Sequence, residues 1–202
     1  MADLQKTAAN LEKHGFTVRI FSTAEEAKAA ALELIGSASV GFGGSVTLDS
    51  LGLYEALTAQ GNPVYFAWKT PLSADPDVYK KAIFADVYLS SANAVTEDGS
   101  LVNIDGRGNR VAALTFGPGR VVVIAGRNKI VPDLHGAIRR IRGYAAGLNA
   151  RRLGAKTPCA VDLQCHDCNS PARICRTTTI IDRKPMGFEH YDVFLVDEDL
   201  GM

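Results

Sequence analysis

The four cysteines of the chain lie in one short stretch, where they could bind a metal ion. They are Cys159, Cys165, Cys168 and Cys175, within the segment 157–176. A C-x-x-C pair presents two thiolates to one metal, and two further thiols nearby complete the tetrahedral set that suits zinc or an iron–sulfur cluster. The full spacing matches neither standard ferredoxin run, and it lacks the second C-x-x-C of a zinc ribbon. His166 and Asp167, inside the pair, could hydrogen-bond the thiolates or replace one ligand.

Three uses of these cysteines stay open. An iron–sulfur cluster would carry electrons, structural zinc would fix a segment that shows no helical or strand period, and a redox-active disulfide could join Cys165 to Cys168. The N-terminal residues are polar and helix-like, without an apolar signal sequence, so we expect a cytoplasmic protein. Thiols stay reduced in the cytosol, which disfavours structural disulfides.

A glycine-rich turn follows an early predicted strand. The sequence VGFGGSVTL places Gly43, Gly44 and Ser45 between that strand and a helix. Glycines let a ligand approach the backbone, a helix start attracts anions, and the hydroxyls of Ser45 and Thr47 add donors. The turn lacks the third glycine of G-x-G-x-x-G and the lysine of a P-loop. It predicts either carboxylate or phosphate binding or a plain tight turn in which Ser45 caps the helix.

Charged and amide side chains follow the later strands. Glu97 lies beside a predicted hairpin turn, where a carboxylate could act as nucleophile or general base, or remain an ordinary solvated charge. Guanidinium groups bind oxyanions through two hydrogen bonds, and ligands of open α/β sheets lie beyond the carboxyl ends of the strands. The further candidates for ligand binding are Asn103, Arg107, Asn109, Arg110, Arg127 and Lys129.

The elements that must position these residues alternate between strands and helices. The hydrophobic pattern predicts strands at 17–21, 39–42, 63–67, 86–91 and 121–126, and two more near the C-terminus in TTTIID and DVFLVDEDLG. It predicts helices that begin in a capping box at Ser22 or Thr23, that cover 45–61 and 75–84, and that run from Pro132 to Leu148. Asp98-Gly99 between two β-prone runs predicts a hairpin. The alternation indicates a three-layer α/β fold around an open, mostly parallel sheet.

Composition limits the partners of the chain. Its 202 residues suit one domain, 1–202, that includes the cysteine-rich segment 157–176. The 22 basic and 22 acidic residues cancel, so no overall field directs the protein to nucleic acid or to an anionic membrane. No segment reaches the roughly 20 apolar residues that a membrane span needs. We therefore expect neither a nucleic-acid partner nor a membrane span.

Several motifs resemble the short, four-cysteine branch of the lactate-utilisation family (LUD, formerly DUF162). They are GFGGSVTLDSLGL, ANAVTEDGSLVNIDGRGNRVAAL, VVVIAGRNKIV, TPCAVDLQCHDCNSPARICRTTTIIDRKP and VFLVDEDLG, and they cover nearly the whole chain. The resemblance implies an open α/β sheet of the ribose-5-phosphate isomerase, glucosamine-6-phosphate deaminase and CoA-transferase type. In that wider group the glycine-rich turn and the acidic hairpin lie at the ligand site, which favours Gly43, Gly44, Ser45 and Glu97.

The resemblance also implies a function. Relatives in the family take part in oxidising L-lactate to pyruvate within an iron–sulfur complex, so this chain would be an oxidoreductase component for L-lactate or a similar 2-hydroxy acid. The cysteines would hold the cluster, with zinc as the alternative, and the partners would be subunits of a lactate-oxidising complex. A second hypothesis is a CoA-transferase-like or sugar-phosphate-isomerase-like enzyme that uses Glu97. A third is a non-catalytic sensor or assembly subunit with structural zinc or a redox dithiol. The chain could also form a homo-oligomer.

Overall fold

The computed structural model describes residues 3–202 of the chain. The strands are β1 (Thr17–Phe21), β2 (Val40–Phe42), β3 (Val64–Tyr65), β4 (Val87–Ser90), β5 (Ala94–Thr96), β6 (Leu101–Asp105), β7 (Arg120–Gly126), β8 (Ile130–Val131), β9 (Thr177–Ile181) and β10 (His190–Val196). The α-helices are α1 (Leu4–Lys13), α2 (Ala24–Ile35), α3 (Val46–Ser50), α4 (Leu53–Gln60), α5 (Val78–Ile83), α6 (Asn109–Thr115), α7 (Leu134–Arg140), α8 (Ala146–Arg152) and α9 (Pro158–Asp162). None of the helices in this range is long and apolar enough to cross a membrane.

The main sheet has six strands in the order β1-β10-β7-β4-β2-β3, and every neighbouring pair in it is parallel. Its central strands β10 and β7 are buried along almost their whole length. Continuous apolar strands are typical of a parallel sheet that is covered on both faces. The prediction of an α/β fold around a mostly parallel sheet is confirmed.

Side chains alternate across the main sheet and build a separate core on each face. Val121 and Val123 of β7 pack with helices α1, α5 and α6 on one side. Val122 and Ile124 pack with α2, α3 and α4 on the other. Because successive side chains of a strand point to opposite faces, the single apolar run of β7 fills both cores and gives the three layers.

A second sheet contains the predicted hairpin. Its order is β8-β5-β6-β9, with β5 and β6 antiparallel and Ala94 opposite Val102. Gly99 turns the hairpin with a φ of 96°, in the left-handed region that glycine adopts without strain. Apolar residues of this sheet pack against Ala137 and Ile141 of the long C-terminal helical segment. The hairpin predicted around Asp98-Gly99 is confirmed.

Two predicted helices have different bounds in the structure. The helix predicted over 45–61 is two helices, α3 and α4, because Gly52 between them has a φ of 62° and leaves the right-handed helical region. Pro132 does not begin the later helix. Asp133 caps that helix by accepting a hydrogen bond of 2.7 Å from the backbone N–H of Gly136, so α7 starts at Leu134.

Two further differences concern the helical segments around the second sheet. The periodicity predicts one helix from Pro132 to Leu148, whereas α7 is followed by a single π-helical segment, Ile141–Ala145, and then by α8. The pattern predicts no helix after β6, yet α6 forms there. The carboxylate of Asp105 accepts hydrogen bonds from the backbone N–H groups of Arg110 and Val111, which stabilises the start of α6.

Candidate ligand-binding cavity

A cavity of about 600 Å³ lies beyond the carboxyl ends of β2, β4 and β7. Thr47, Ser91 and Lys129, which follow these three strands, line it on the side of the main sheet. Ile104 and Asp105 of the second sheet line the opposite side. The position agrees with the rule for open parallel sheets, and the volume lies in the range of small-molecule sites.

The lining of the cavity is strongly basic. Its basic side chains are Arg107, Arg110, Lys129, Arg152, Arg173 and Arg176, and its one acidic side chain belongs to Asp105. That carboxylate accepts hydrogen bonds from the backbone N–H groups of Gly106 and of the first turn of α6. Among residues 3–202, only Arg173 of the six basic residues forms an ion pair, with Asp167. The cavity therefore attracts anions.

Lys129 is the most deeply buried of these cations, with 4% of its surface exposed. Its Nζ donates hydrogen bonds to Oγ1 of Thr47 at 2.7 Å and to Oγ of Ser91 at 2.8 Å. Burial, together with the positive charges of Arg140 and Arg110, lowers the pKa of Lys129 to about 7. Removal from water disfavours the charged form of an amine, and among the described residues no ion pair with a carboxylate offsets that effect on the pKa of Lys129.

Arg110 and Arg140, the two cations that act on Lys129, donate hydrogen bonds to backbone carbonyls. Arg110 donates to the carbonyl of Ile104 at 3.0 Å, and its Nε is buried without a hydrogen-bond partner. Arg140 donates to the carbonyls of Asn93 at 2.7 Å and Asn128 at 3.0 Å, and burial lowers its pKa. Both guanidinium groups meet neutral acceptors, so they keep their full positive charge beside the cavity.

Aromatic rings position two further arginines at the cavity. The guanidinium of Arg152 lies 4.4 Å from the ring centre of Trp68, and that of Arg107 lies 4.4 Å from the ring centre of Tyr79. Trp68 itself stacks on Phe66 with ring centres 5.5 Å apart. An aromatic face holds a guanidinium without neutralising its charge. The Nε and Nη2 atoms of Arg152 also donate to Oδ1 of Asn149, at 3.1 and 2.8 Å, so this arginine keeps its charge but has fewer N–H groups left for an oxyanion.

Most of the predicted ligand-binding residues lie together at this cavity. Those that line it are Gly44, Ser45, Thr47, Arg107, Asn109, Arg110 and Lys129. Gly43 lies directly beside them, since a Cβ there would be 3.2 Å from the hydroxyl of Tyr88. The hydroxyl of Ser45 also caps α3 by accepting from the backbone N–H of Leu48 at 3.3 Å.

Three other predicted residues lie outside the cavity. Glu97 pairs with Lys6 at 2.8 Å on the far side of the hairpin. Asn103 lies within the second sheet, where its Oδ1 accepts from the backbone N–H of Asn93 at 3.1 Å. Arg127 points to the surface and pairs with Asp199 at 3.0 Å.

Other residues of the cavity were not predicted. They are Trp68, Tyr79, Ser91, Asn93, Arg152, Arg173 and Arg176. Ser91 and Asn93 directly follow β4, so the strand-end rule applied to that strand would have found them. Trp68 directly follows the strand predicted at 63–67, so the same rule would have found it as well. The other four residues come from helices α5 and α8 and from the cysteine-rich segment, and no local pattern marks them as neighbours of β2 or β7.

Arginine side chains organise the cysteine-rich segment. Arg173 donates to the carbonyl of Cys168 at 2.8 Å and to the carbonyl of Cys175 at 2.9 Å. Cys175 lines the cavity, whereas Cys165 is exposed and Cys159 lies on the short helix α9, 3.3 Å from the hydroxyl of Thr157. The segment therefore has a defined backbone path that depends on arginine–carbonyl hydrogen bonds.

The four thiols do not form a metal-ligand set in this arrangement. Nowhere in residues 3–202 do three or more His, Cys, Asp or Glu side chains come together as ligands for one ion. A cluster or structural zinc needs four converging donors, so the segment as arranged here does not fit either group. Both stay predictions from the sequence.

A comparison with protein-family models decides the family. The LUD domain model matches residues 4–196, nearly the whole chain. The chain belongs to the LUD domain family. The match includes the glycine-rich turn, the hairpin, the strand before Lys129 and the cysteine-rich segment, so the resemblance stated above is confirmed.

A solved structure of a DUF162 family protein agrees with this family at the level of the fold. The LUD domain chain is similar to a DUF162 family protein from Deinococcus radiodurans, with 16% identity and a TM-score of 0.56 over 96% of this chain and 95% of that one. A D-ribose-5-phosphate isomerase in complex with phospho-erythronic acid matches 66% of this chain and 56% of its own, with 17% identity and a TM-score of 0.26. No curated protein matches the sequence.

Proposed function

We propose that this LUD domain protein binds L-lactate, or a similar small 2-hydroxy acid and its 2-oxo product, in the basic cavity and serves the oxidation of that acid. The observation that carries the proposal is the charge of the lining. Six basic side chains line the cavity, and the single acidic side chain among them already accepts backbone hydrogen bonds. A carboxylate ligand supplies the missing negative charge.

The residues of the cavity suit different parts of such a ligand. Arg107, held on the ring of Tyr79, offers its N–H groups to the carboxylate. Arg152, held on the ring of Trp68 and hydrogen-bonded to Asn149, adds positive charge. Lys129 lies at the ends of three strands and uses two N–H bonds on the hydroxyls of Thr47 and Ser91. In its protonated form the third N–H can donate to the hydroxyl or ketone oxygen of the ligand. The partner that accepts the electrons is a further subunit of a lactate-oxidising complex in this proposal.

Isothermal titration calorimetry tests the proposal with L-lactate and pyruvate. L-Lactamide is the matched control ligand, because it has the same shape without the carboxylate charge. We expect both acids to bind and the amide to bind at least about tenfold more weakly, as the loss of one or more charge-assisted hydrogen bonds predicts. Equal binding of L-lactate and L-lactamide, or binding of neither acid, would contradict the proposal.

Two arginine variants locate the binding site in the same assay. Arg107→Ala removes a guanidinium that lines the cavity, whereas Arg127→Ala removes an exposed one that pairs with Asp197 and Asp199 outside it. We expect the first variant to weaken L-lactate binding and the second to leave it unchanged. Equal effects of both variants would mean that the acid binds elsewhere.

The transferase-like alternative receives less support from this arrangement. A nucleophilic carboxylate must reach the substrate, but Glu97 pairs with Lys6 and does not line the cavity. The role of Glu97 stays a prediction that a substitution can test, as set out in the Discussion.

A further inference from the structure

We propose that Lys129 is a nucleophile that forms an imine with the ketone of a 2-oxo acid in the cavity. This inference rests on the proposed function, because binding of the carboxylate brings the neighbouring ketone into the cavity. It goes further, because it assigns covalent chemistry to one side chain and makes the 2-oxo acid, rather than the 2-hydroxy acid, the reactive ligand.

The first support is the isolation of Lys129 from carboxylates. Its side chain is almost fully buried, yet among residues 3–202 it has no ion-pair partner, and its hydrogen bonds go to two hydroxyl groups. The nearest charges, on Arg110 and Arg140, are also positive. A buried lysine of this kind costs stability, whereas a buried neutral amine is the form that Schiff-base lysines use.

The second support is the direction of the hydrogen bonds around Nζ. The hydroxyl of Thr47 donates its own proton to the carbonyl of Leu200 at 3.2 Å, and the hydroxyl of Ser91 lies 3.4 Å from the carbonyl of Ala92 and donates to it. Both hydroxyl oxygens therefore accept from Lys129. The two N–H bonds of a neutral amine satisfy both acceptors, and the fourth tetrahedral position is left for the lone pair.

The third support is access to a ligand. Thr47, Ser91 and Lys129 all line the cavity. The cavity's arginines also line it and would hold the carboxylate of a 2-oxo acid, whose ketone carbon is bonded directly to the carboxylate carbon. A carboxylate bound in this cavity therefore places its ketone in the same enclosed volume as the amine.

Burial makes the required form of Lys129 abundant near neutral pH. With a pKa of about 7, about half of the side chain is the free amine at pH 7. An ordinary lysine with a pKa of about 10.4 has on the order of a thousandfold less free amine at that pH. Other lysines of the chain would thus react far more slowly.

The reaction is a condensation that needs no oxidant. The lone pair of Nζ attacks the ketone carbon, an N–C bond forms, and the π electrons of the carbonyl move to its oxygen. A proton passes from nitrogen to that oxygen and gives a carbinolamine. The C–O bond then breaks, the oxygen leaves as water with the second amine proton, and the C=N bond of the imine forms. The imine withdraws electrons from C3, so the C3 hydrogens become acidic.

Reductive trapping on the full-length protein tests the inference. The protein is incubated with pyruvate and sodium cyanoborohydride, which reduces imines in preference to ketones, and the modified lysine is identified by peptide mass mapping. We expect one reduced adduct per chain, on Lys129, at least about tenfold above any other lysine. L-Lactate, which has no ketone, should give no adduct. Adducts spread over surface lysines, or no adduct at all, would overturn the assignment.

Two substitutions separate a nucleophile from a structural cation. Lys129→Arg keeps a positive hydrogen-bond donor but removes the nucleophile, so trapping should be lost. Lys184→Arg is the matched control. The Nζ of Lys184 also donates two hydrogen bonds, to backbone carbonyls, but Lys184 does not line the cavity. The Lys184→Arg protein should therefore form the same adduct on Lys129 as the wild type. The position of the adduct is mapped on the wild-type protein, so that result still decides the assignment if a variant folds poorly.

The same samples distinguish failure of the inference from failure of the proposed function. Pyruvate binding is followed by the fluorescence of Trp68, the one tryptophan of the chain, which lines the cavity. Binding without trapping would overturn the role of Lys129 and leave the proposed function intact. No binding and no trapping would overturn both. Exchange of the C3 hydrogens of pyruvate in D2O, lost in Lys129→Arg, is a second expected sign of the imine.

Discussion

Lys129 donates a 2.7 Å hydrogen bond to the hydroxyl of Thr47, a residue 82 positions earlier in the chain. The two residues follow different strands of the parallel sheet, β7 and β2. Their contact joins the ends of those strands at the floor of the cavity and leaves the buried amine with neutral partners. The chemistry proposed for this protein depends on that relationship.

Thr47→Val tests the hydrogen bond itself. Valine keeps the shape of the side chain but removes the acceptor for Lys129, so we expect the free energy of unfolding to fall by about 1 kcal/mol or more. Loss of an acceptor for the charged amine should also lower the pKa of Lys129 further. Urea unfolding measures the first effect, and the pH dependence of reductive trapping measures the second.

The matched control for that substitution is Thr58→Val. The hydroxyl of Thr58 donates to the carbonyl of Tyr54 within α4, far from Lys129. Thr58→Val should leave the pH dependence of reductive trapping unchanged. A shift of that dependence in the control, or none in Thr47→Val, would contradict the role given to the Thr47 hydroxyl.

The low pKa of Lys129 predicts a pH-dependent contribution to stability. In the unfolded chain Lys129 binds a proton below pH about 10.4, but in the folded protein only below about 7. As the pH falls from about 10.4 to about 7, the unfolded chain gains this proton and the folded protein does not, so the free energy of unfolding decreases. Below pH about 7 both states bind the proton, and the free energy of unfolding decreases no further through Lys129. Arg110 and Arg140, the charges nearest to Lys129, stay protonated throughout this range.

Lys129→Met removes this contribution. Relative to the wild type, the variant should gain up to about 1.4 kcal/mol in free energy of unfolding for each pH unit as the pH falls from about 10 toward 7. Urea unfolding of both proteins at several pH values measures the difference, in which the other titrating groups cancel. Parallel stability curves would show that the Lys129 pKa is not lowered.

Glu97→Gln tests the transferase-like alternative. Because Glu97 pairs with Lys6 outside the cavity, we expect the variant to bind L-lactate and pyruvate as the wild type does. Lys6→Met, which removes the other partner of the pair, should behave in the same way. Loss of ligand binding or of turnover in Glu97→Gln alone would instead indicate that the carboxylate takes part in the chemistry.

Metal and sulfide analysis tests the iron–sulfur prediction. Protein purified anaerobically should contain iron and sulfide and should absorb visible light that bleaches on reduction if Cys159, Cys165, Cys168 and Cys175 hold a cluster. Structural zinc would give a colourless protein with bound zinc. Colourless, metal-free protein from cells with active cluster assembly would contradict both predictions and favour a dithiol.

Two glycines of the fold should respond in opposite directions to alanine. At Gly41 of β2, a Cβ would lie 1.9 Å from the carbonyl oxygen of Ala82, so Gly41→Ala should cost about 3 kcal/mol or more. At Gly143 in the π-helical segment a Cβ would meet no atom within 4 Å, so Gly143→Ala should stabilise the protein by about 0.5–1 kcal/mol. Urea unfolding compares the two variants, and a destabilised Gly143→Ala would contradict the helical packing described here.

Parts of both sheets could be predicted from the sequence because their signals are local. The apolar run of β7 and the turn at Asp98-Gly99 are short patterns with one physical meaning, and both elements form where they are predicted. The start of α6 was missed because its stabilising carboxylate, Asp105, belongs to the strand before it. The break at Gly52 was missed because glycine within a helix pattern is compatible with either continuation or a stop.

The cavity could be predicted only in part. Residues at the ends of β2 and β7 were found because the parallel sheet brings strand ends to one edge. The contact of Arg152 with Trp68 joins two distant parts of the chain, and no local pattern around Arg152 indicates that contact. Glu97 was predicted from a turn motif, and its pairing with Lys6 depends on where α1 packs.

The cavity also lies between the two sheets, since the chain passes from the main sheet to the second sheet after β4 and again after β7. A ligand bound between Lys129 and Asp105 touches both sheets and can bind only while both are folded. The binding free energy of the ligand then adds to the free energy needed to separate the two sheets. In protein saturated with an acid ligand, the second sheet should therefore open only when the whole protein unfolds. The amide hydrogens of β5 and β6 should then exchange as slowly as those of β7.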